Sequence, residues 1–381
     1  MINNNRLRLG ILFYFSSQWM GGIIYIINII RILDFLEDGE KPEILLFYRP
    51  GLKKYVDDIT YPYLTAVEWS FPTILAGNIK SLLLQKNLFV NGILKKYTLD
   101  AVFPMHDFPV KTRTGVKLVS WWADHQHKHY PEFFSRSQVL SRNIRTKLIL
   151  RNCNDLVVSS QDVLDDFKRY FKMRNGLKVH IFHFVSVIDN LQQVQILDLK
   201  LKYNLPDKYF MISNQFHKHK NHKVLLLSLV KLKEMNKGLH FAFTGKFPAA
   251  SDSPYLAELH KIIDDNELKS QVTMLGLISR SEQLELMRHS QAVIQPSLFE
   301  GWSTVIEDAK SLQVPVVASD LKVNIEQLGD EGIYFDPHNA DELAAILADF
   351  PDRNLNDLYY EDYSLRVKQA ANEFLSIFKK N

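Results

Sequence analysis

At 381 residues the chain is too long for a single ordinary hydrophobic core, and it fits two domains of roughly 150 to 200 residues each. Its composition is 46% hydrophobic and 23% charged without Pro/Ser-rich or repeated tracts, which argues against a disordered or fibrous chain. The formal charge of +3 divides into +8 for residues 1–190 and −5 for residues 191–381, and in the absence of a binding motif this division argues against nucleic acid as a partner.

The chain begins with a pattern typical of a strand, a glycine loop and a helix. Residues 9–15 are a short apolar run, residues 16–22 a loop and residues 23–36 a helical pattern. Residues 9–30 carry no charge over a length that would span a bilayer, but the serines and glycines of the loop interrupt the run. We therefore predict a strand, a loop and a helix here, and no membrane span.

The same alternation continues through the first half of the chain. Helical patterns over residues 133–152 and 161–171 lie between some of the later apolar runs. Alternating strands and helices predict a parallel sheet that is covered on both faces. The later apolar runs are residues 43–48, 101–104, 117–122, 155–159 and 179–184.

Residues 186–206 are polar and irregular, and we place the domain boundary there. The predicted domains are residues 1–190 and 191–360, and residues 361–381 are expected to form a helix that crosses back to the first domain. The fold class is α/β, with two Rossmann-like doubly wound domains in tandem, so ligands are expected at the carboxyl ends of the strands and in the cleft between domains. Predicted strands of the second domain are residues 209–213, 239–244, 271–275, 292–295 and 314–318, and its predicted helices are residues 221–236, 255–267, 281–289 and 304–312.

Cys153 is the only cysteine of the sequence. The chain can therefore form no internal disulfide, thiolate zinc cluster or redox pair. Such cysteine usage fits a reducing compartment, and we expect a cytoplasmic protein.

Residues 295–320, which read QPSLFEGWSTVIEDAKSLQVPVVASD, are the segment most informative about function. Glu300 ends a strand-to-helix loop, and Gly301 lets the backbone approach a ligand closely. The helix that begins near Thr304 points free N–H groups and its positive dipole end at this loop. The arrangement is suited to binding a diphosphate.

The same segment resembles the donor-binding signature of family 4 of the retaining glycosyltransferases. In that signature an acidic residue, a Gly–aromatic pair, a helix with a second acidic residue and a Pro-flanked strand follow in fixed order. The resemblance covers most of the chain, tightly from about residue 209 to residue 337 and weakly in the first half. It implies the two-domain GT-B architecture and a nucleotide-sugar donor bound by the second domain. Glu300 would act in catalysis, and Ser303 and Thr304 would bind the donor.

The second acidic residue of the signature has two candidates. In the family it lies eight positions after the first, which is Asp308 here, and Asp308 is shorter than the usual glutamate. Glu307 is its neighbour, and either carboxylate could accept hydrogen bonds from ribose hydroxyls. Thr304 and Glu307 also have capping-box spacing, so we favour reciprocal helix capping as the role of Glu307.

Residues 212–222, which read ISNQFHKHKNH, resemble the phosphate-contacting strand end of the family. Lys220 matches the lysine that neutralises the donor diphosphate, and Asn214 would also contact the donor. The position five residues before that lysine, usually arginine, is Gln215. Lys218 or His217 would then supply the missing positive charge. The alternative is a solvated basic turn at the start of a helix.

Three glycines resemble further donor-binding positions of the family. Gly276 looks like the glycine after which the backbone meets the nucleobase, although a glycine after a strand is commonly a turn. Gly21 and Gly22 resemble the Gly-Gly loop that approaches the phosphates from the first domain. We predict that all three lie near the donor.

Residues 120–134, which read SWWADHQHKHYPEFF, resemble a segment of bacterial polysaccharide-synthesis enzymes in which D-x-Q-H precedes P-E-F-F. Asp124, Gln126 and His127 would face the cleft from a strand end, with Asp124 and His127 acting in catalysis. The alternating histidines also suggest a metal, but without further carboxylate or cysteine ligands we predict none. The sequence has no D-x-D motif either, which disfavours the metal-dependent single-domain transferase fold.

Residues 135–152 carry five basic side chains among apolar ones. One interpretation is a basic amphipathic helix in peripheral contact with an anionic membrane, where lipid-linked acceptors are found. The other is an ordinary packed helix with a solvated basic face, and the sequence does not choose between them.

Together these features predict a retaining hexosyltransferase that moves a sugar from a nucleotide-sugar donor to a hydroxyl of a glycan or lipid-linked acceptor. The resemblance suggests polysaccharide or lipopolysaccharide biosynthesis, at the inner face of the cell membrane if the basic segment binds lipid. We expect no cofactor and no protein nucleophile. The alternatives are a catalytically silent subunit that binds nucleotide sugar, and a sugar-nucleotide epimerase or a phosphorylase on the same fold.

Overall fold

A computed structural model describes residues 6–17, 19–188, 195–247 and 253–379. The chain divides into two compact units. The first contains Met1–Val185 and Ser364–Asn381, and the second contains Ser186–Tyr363. The predicted boundary between residues 190 and 191 lies outside the described residues.

The first unit is built on a seven-stranded parallel sheet in the order β3-β2-β1-β4-β5-β6-β7. The first six strands follow the order of a doubly wound dinucleotide-binding sheet, which reverses between β1 and β4. Its strands are β1 (Arg8–Phe13), β2 (Glu43–Tyr48), β3 (Leu64–Glu68), β4 (Ala101–Met105), β5 (Lys117–Trp122), β6 (Asp155–Val158) and β7 (Lys178–Ile181). Its helices are α1 (Met20–Ile32), α2 (Lys53–Val56), α3 (Ile74–Leu84), α4 (Asn91–Lys96), α5 (Gln126–His129), α6 (Arg136–Asn152) and α7 (Gln161–Tyr170).

The central strands form because their apolar runs are buried on both faces of the sheet. Every residue of β4 is buried, as are all but the first of β1. Leu12, Phe47 and Val102 pack with helical side chains such as Phe167 into one core on the sheet. The predicted strand, loop and helix at the start of the chain are confirmed as β1, a connecting segment and α1.

The helix α1 begins three residues earlier than the sequence pattern indicated. Gly21 and Gly22 therefore lie in its first turn and not in the preceding loop. A Cβ atom on Gly22 would lie 2.6 Å from the Trp19 ring, so glycine makes room for the indole at the helix start. That ring stacks on Trp121 of β5 with its centroid 5.7 Å away.

The second unit repeats the same topology with six parallel strands in the order β10-β9-β8-β11-β12-β13, which reverses between β8 and β11. Its strands are β8 (Phe210–Ser213), β9 (Phe241–Thr244), β10 (Val272–Gly276), β11 (Val293–Gln295), β12 (Val316–Ser319) and β13 (Ile333–Phe335). Its helices are α8 (Ile196–Tyr203), α9 (His222–Glu234), α10 (Pro254–Asp265), α11 (Arg280–Arg288), α12 (Thr304–Ser311), α13 (Lys322–Leu328) and α14 (Ala340–Ala348). The predicted α/β class with two doubly wound domains is confirmed.

The final helix α15 (Tyr363–Ser376) belongs with the first unit over nearly all of its length. Phe374 places its ring 5.2 Å from Phe103 of β4 and 5.2 Å from Phe182. Lys368 pairs with Glu37 at 2.8 Å on the surface. The C-terminal residues therefore complete the hydrophobic core of the first sheet.

Within the described ranges, no helix is both long and apolar enough to cross a membrane.

Candidate functional site

The second sheet reverses its strand order at the point where two buried amide side chains meet. Asn214 follows β8 and Gln295 ends β11, and Asn214 donates from Nδ2 to Gln295 Oε1 at 2.8 Å. Both residues are buried. Buried polar side chains at a topological switch point are typical of a ligand site, because the loops there diverge and leave a crevice.

The Gln295 amide joins this pair to the loop before α12. Its Nε2 atom donates to Glu300 Oε1 at 2.7 Å and to Ser303 Oγ at 3.1 Å. Lys220 Nζ lies 2.5 Å from the same Glu300 oxygen. The side chains of Lys220 and Glu300 are 19% and 10% exposed, so this ion pair is largely withdrawn from water. The structure thus brings together the predicted Lys220, Glu300, Asn214 and Ser303.

Ser303 is the N-cap of α12, and its hydroxyl accepts from the Ile306 N–H at 3.3 Å. The predicted capping box of Thr304 with Glu307 is therefore wrong, because Thr304 is already the first helical residue. Glu307 instead accepts from Gln327 Nε2 at 2.8 Å and is 2% exposed. The first-turn N–H groups and the positive dipole end of α12 face the loop that carries Glu300.

Asp308 has a different partner from its neighbour. Arg280, at the start of α11, donates from both terminal nitrogens to the Asp308 carboxylate at 2.5 and 2.6 Å. The Asp308 side chain is 1% exposed and that of Arg280 is 37% exposed. Paired bonds of this kind hold a short carboxylate firmly, and they leave the choice of ribose ligand between Glu307 and Asp308 a prediction.

The turn before α9 contains one partly buried cation. Lys220 ends a short 3-10 helix, Lys218–Lys220, whereas Lys218 is exposed. His217 hydrogen-bonds Gln215 Oε1 at 2.9 Å. Partial burial of the ring and the charge of nearby Lys220 lower the pKa of His217. The choice between Lys218 and His217 as the replacement for the missing arginine stays a prediction.

Gly276 ends β10 with a φ of +69°, a backbone conformation that favours glycine. Its carbonyl accepts from the Gly245 N–H and from Thr244 Oγ1, both at 2.9 Å. A Cβ atom there would also press on the Phe247 ring at 3.1 Å. The backbone conformation and the nearby ring therefore explain why glycine occupies this position. Its contact with a nucleobase stays a prediction.

The first unit contains a cavity of about 940 Å³ at the carboxyl ends of five of its strands. Aromatic rings form much of its wall, and three arginines bring positive charge to it. Because ligands of open α/β sheets bind at this edge, the cavity is the candidate binding site of the first unit. Its ring side chains include Tyr14, Phe15, Trp19, Trp69, Phe71, His106 and Trp122, and its arginines are Arg49, Arg142 and Arg145.

Asp124 and Gln126 line this cavity, whereas His127 lies behind it. Arg142 donates from Nη2 to Asp124 Oδ1 at 3.1 Å and from Nε to His127 Nδ1 at 3.2 Å. His127 is 1% exposed and also bonds Asn143 Oδ1 at 3.1 Å. Burial, followed by Arg142, lowers its pKa to about 4, so the ring is neutral and positions Arg142. Its predicted catalytic role is untested, but it is not part of the cavity wall.

The three alternating histidines, His125, His127 and His129, do not lie along an extended strand, because α5 begins at Gln126. His125 is fully buried with its ring 4.4 Å from Phe167, edge to face. His129 pairs with Asp166 at 2.7 Å, and this hydrogen bond raises its pKa. No group of three metal-ligating side chains occurs among the described residues.

Two arginines of the basic helix α6, Arg142 and Arg145, line the cavity. Arg145 donates to Asp107 Oδ1 at 2.9 Å, and Arg142 holds Asp124. On the packed side of the helix Ile149 and Leu150 are buried. These contacts fit the packed-helix interpretation for that part of α6, and its contact with an anionic membrane stays a prediction.

Several residues of these sites were not among the sequence candidates. They are Gln295, Gln327 and Arg280 in the second unit and Arg49 and Arg145 in the first. Gln295 and Arg49 each stand at or just after the end of a strand, which is a pattern visible in sequence. The other three act through partners distant in sequence, which the sequence does not reveal.

The comparisons with known proteins agree with this architecture. The family model described as Glycosyl transferases group 1 matches residues 196–364, nearly the whole second unit. An uncharacterized glycosyltransferase of Methanocaldococcus jannaschii is 21% identical over 93% of this chain and 83% of its own length. The O-antigen chain mannosyltransferase RfbU of Salmonella typhimurium is 23% identical over 55% of this chain and 54% of its own length.

Among solved structures, Anabaena HepE in complex with UDP and glucose is similar to nearly the whole chain. The match has a TM-score of 0.64 at 18% identity, and it covers 97% of this chain and 100% of that one. This likeness is one of fold, and it confirms the predicted GT-B architecture.

Proposed function

We propose that this chain is a retaining glycosyltransferase, because residues 196–364 match the family model described as Glycosyl transferases group 1 and the chain has a GT-B fold. Its donor would be a nucleotide sugar bound by the second unit. Its acceptor would be a hydroxyl of a glycan or lipid-linked sugar bound in the cavity of the first unit. The relatedness to an O-antigen mannosyltransferase supports a role in polysaccharide or lipopolysaccharide assembly.

The observation that carries this proposal is the meeting of Lys220, Glu300 and the start of α12. A cation, a carboxylate and a helix N-terminus converge beside the switch point of the sheet. The cation and the helix dipole suit a diphosphate, and the carboxylate suits sugar hydroxyls. This combination of groups suits a nucleoside diphosphate sugar.

In the proposed mechanism the acceptor hydroxyl attacks the anomeric carbon on the face from which the diphosphate leaves. The bond from that carbon to the diphosphate oxygen breaks as the new bond forms, and a phosphate oxygen takes the hydroxyl proton. Lys220 and the N-terminus of α12 stabilise the charge that grows on the diphosphate, and Glu300 orients the sugar. These groups supply the electrostatic stabilisation without a protein nucleophile or a cofactor.

One alternative function has a specific observation in its favour. Gln215 stands where the family has arginine, and Arg280 engages the carboxylate of Asp308. Both departures would suit a subunit that binds nucleotide sugar without turning it over.

The deciding experiment is thermal stabilisation and donor hydrolysis across UDP-, GDP-, ADP- and CMP-sugars. We expect one donor class to raise Tm and to be hydrolysed by the natural protein but not by Glu300→Gln. The variant Glu258→Gln, which alters a surface ion pair with Lys223, is the matched control and should retain full activity. Stabilisation by a donor with no hydrolysis or transfer would favour the silent subunit, and stabilisation by none would overturn the proposed donor site.

A second measurement addresses the stereochemistry. The anomeric configuration of the transferred sugar, read by NMR, should equal that of the donor. An inverted product would overturn the retaining mechanism while leaving the donor site intact.

A further inference from the structure

Helix α3 exposes its apolar side chains and buries its small ones. Only Gly77 and Ser81 of this helix are buried. The spacing i, i+4, i+7 and i+8 places four large side chains on one side of the helix. We call this side the apolar face of α3, and it consists of Leu75, Ile79, Leu82 and Leu83, which are 75%, 50%, 43% and 77% exposed.

The inward side of α3 is fixed by close contacts that do not involve the apolar face. A Cβ atom on Gly77 would lie 2.5 Å from the Phe89 ring, so glycine lets the helix approach the core. Ser81 Oγ accepts from the Leu88 N–H at 3.1 Å. The apolar face therefore contributes little to packing, and four adjacent large apolar side chains in water mark an interaction surface.

The stretch of chain that contains the apolar face carries charge of a single sign. No Asp or Glu occurs between Glu68 and Asp100. The same stretch contains four lysines, all exposed, of which Lys80 lies on α3 itself. They are Lys80, Lys86, Lys95 and Lys96. An apolar stripe flanked by lysines, without acidic residues, is complementary to a bilayer that carries anionic headgroups.

We propose that α3 docks on the surface of an anionic lipid bilayer, with its apolar face in the boundary between headgroups and acyl chains and the lysines among the headgroups. This surface is distinct from α6, for which membrane contact was predicted from the sequence. A second copy of the chain is a poorer occupant, because a symmetric contact through α3 would bring lysines against lysines.

The position of α3 also deepens the proposed function, on which this step rests. Ile74, the first residue of the helix, lines the cavity of the first unit, as do Ser70 and Phe71 just before it. A bilayer bound by α3 would therefore lie beside the mouth of the candidate acceptor site. The substrate class that fits is a lipid-linked sugar whose anchor stays in the membrane.

Flotation with lipid vesicles tests the proposal on the 381-residue chain. The test variant replaces three residues of the apolar face, Leu75→Gln with Ile79→Gln and Leu83→Gln. The matched control replaces two exposed leucines of α8, Leu197→Gln with Leu201→Gln. Vesicles are phosphatidylcholine alone or phosphatidylcholine mixed with phosphatidylglycerol.

We expect the natural protein to bind the mixed vesicles and to bind phosphatidylcholine weakly. The test variant should bind the mixed vesicles about tenfold more weakly or worse, whereas the control should bind as the natural protein does. Lys80→Gln with Lys86→Gln should remove much of the preference for phosphatidylglycerol. Equal binding by the natural protein and the test variant would overturn the proposal.

Two further readouts separate the explanations. One possible outcome is that the natural protein is a dimer, the test variant is a monomer, and neither protein binds vesicles. The apolar face would then be a subunit contact, and the proposal would fail. Donor hydrolysis in solution should be unchanged in the test variant. Hydrolysis without vesicle binding defeats only the membrane proposal, and vesicle binding without hydrolysis defeats only the proposed function.

Discussion

The Nζ atom of Lys220 lies 2.5 Å from the Oε1 atom of Glu300, although 80 residues of sequence separate the two side chains. Gln295 donates to the same oxygen at 2.7 Å. The cation assigned to the donor diphosphate and the carboxylate assigned to the donor sugar therefore neutralise each other. A change to either one alters the charge that the other presents to a ligand.

Lys220→Met should lower kcat by roughly a hundredfold to a thousandfold, because it removes a charge directed at the leaving diphosphate. The free energy of unfolding should fall by about 2 kcal/mol, since Glu300 loses its counter-charge in a largely buried position but still accepts a hydrogen bond from Gln295. Steady-state transfer kinetics and urea unfolding measure the two effects. Lys223→Met, which removes an exposed lysine of α9, should leave kcat unchanged. Equal kcat values in both variants would contradict the role of Lys220.

The Arg280–Asp308 pair leads to a prediction about stability. Arg280→Met leaves the carboxylate of Asp308, 1% exposed, without its counter-charge and should cost about 3 kcal/mol of unfolding free energy. Asp308→Asn should cost less, because the half-exposed Arg280 can turn to water. Urea unfolding at neutral pH measures both, and Arg288→Met at the exposed end of the same helix is the control. A larger loss in Asp308→Asn than in Arg280→Met would contradict this account of the pair.

The sequence predicted most strands of both sheets but neither β3 nor β13. Each is an edge strand. The residues of β3 are all partly or fully exposed, and β13 has three residues of which one is buried. An edge strand has only one neighbour and can expose its side chains, so it can form without the continuous apolar run that indicates a central strand, as these two do.

The candidate site was predictable where it depends on strand ends and helix starts. Glu300, Asn214 and Lys220 each lie in a loop that follows a strand, and such a position indicates a site in an α/β fold. Their contacts were not predictable, because Gln295 meets Asn214 and Glu300 only through the folding of the sheet. Arg280 likewise meets Asp308 only through the packing of α11 on α12. The N-cap of α12 is Ser303, one residue before the predicted Thr304. Serine and threonine are both good N-caps, so the sequence alone does not distinguish the two positions.

Arg49 is the basis of a prediction about the acceptor. It follows β2, lines the cavity and donates to the Pro72 carbonyl at 3.1 Å. If the acceptor carries a phosphate, Arg49→Gln should raise the acceptor KM roughly tenfold through loss of a charge-assisted hydrogen bond. Donor hydrolysis should be unchanged. Arg113→Gln, at an exposed position of the same unit, is the control. An unchanged acceptor KM would remove Arg49 from the acceptor site.

The buried histidines of the first unit predict loss of stability in acid. Burial lowers the pKa of His125 to about 2 and that of His127 to about 4, below the value near 6.5 of an unfolded histidine. Below about pH 6.5 these histidines therefore bind protons in the unfolded chain but not in the folded chain. The free energy of unfolding should fall as pH falls, by about 1.4 kcal/mol per pH unit for each such histidine.

His125→Phe isolates one of these protons, because the ring packs against Phe167 and Phe171 and a phenyl group suits that surrounding. Urea unfolding between about pH 6 and pH 4.5 should show a shallower loss in this variant, by about one proton. His129→Gln is the control of opposite sign. Its raised pKa gives stability that is complete below the unfolded value and is lost as pH rises. Its removal should lower stability evenly across this range without changing the slope, and an unchanged slope in His125→Phe would show that His125 is charged in the folded protein.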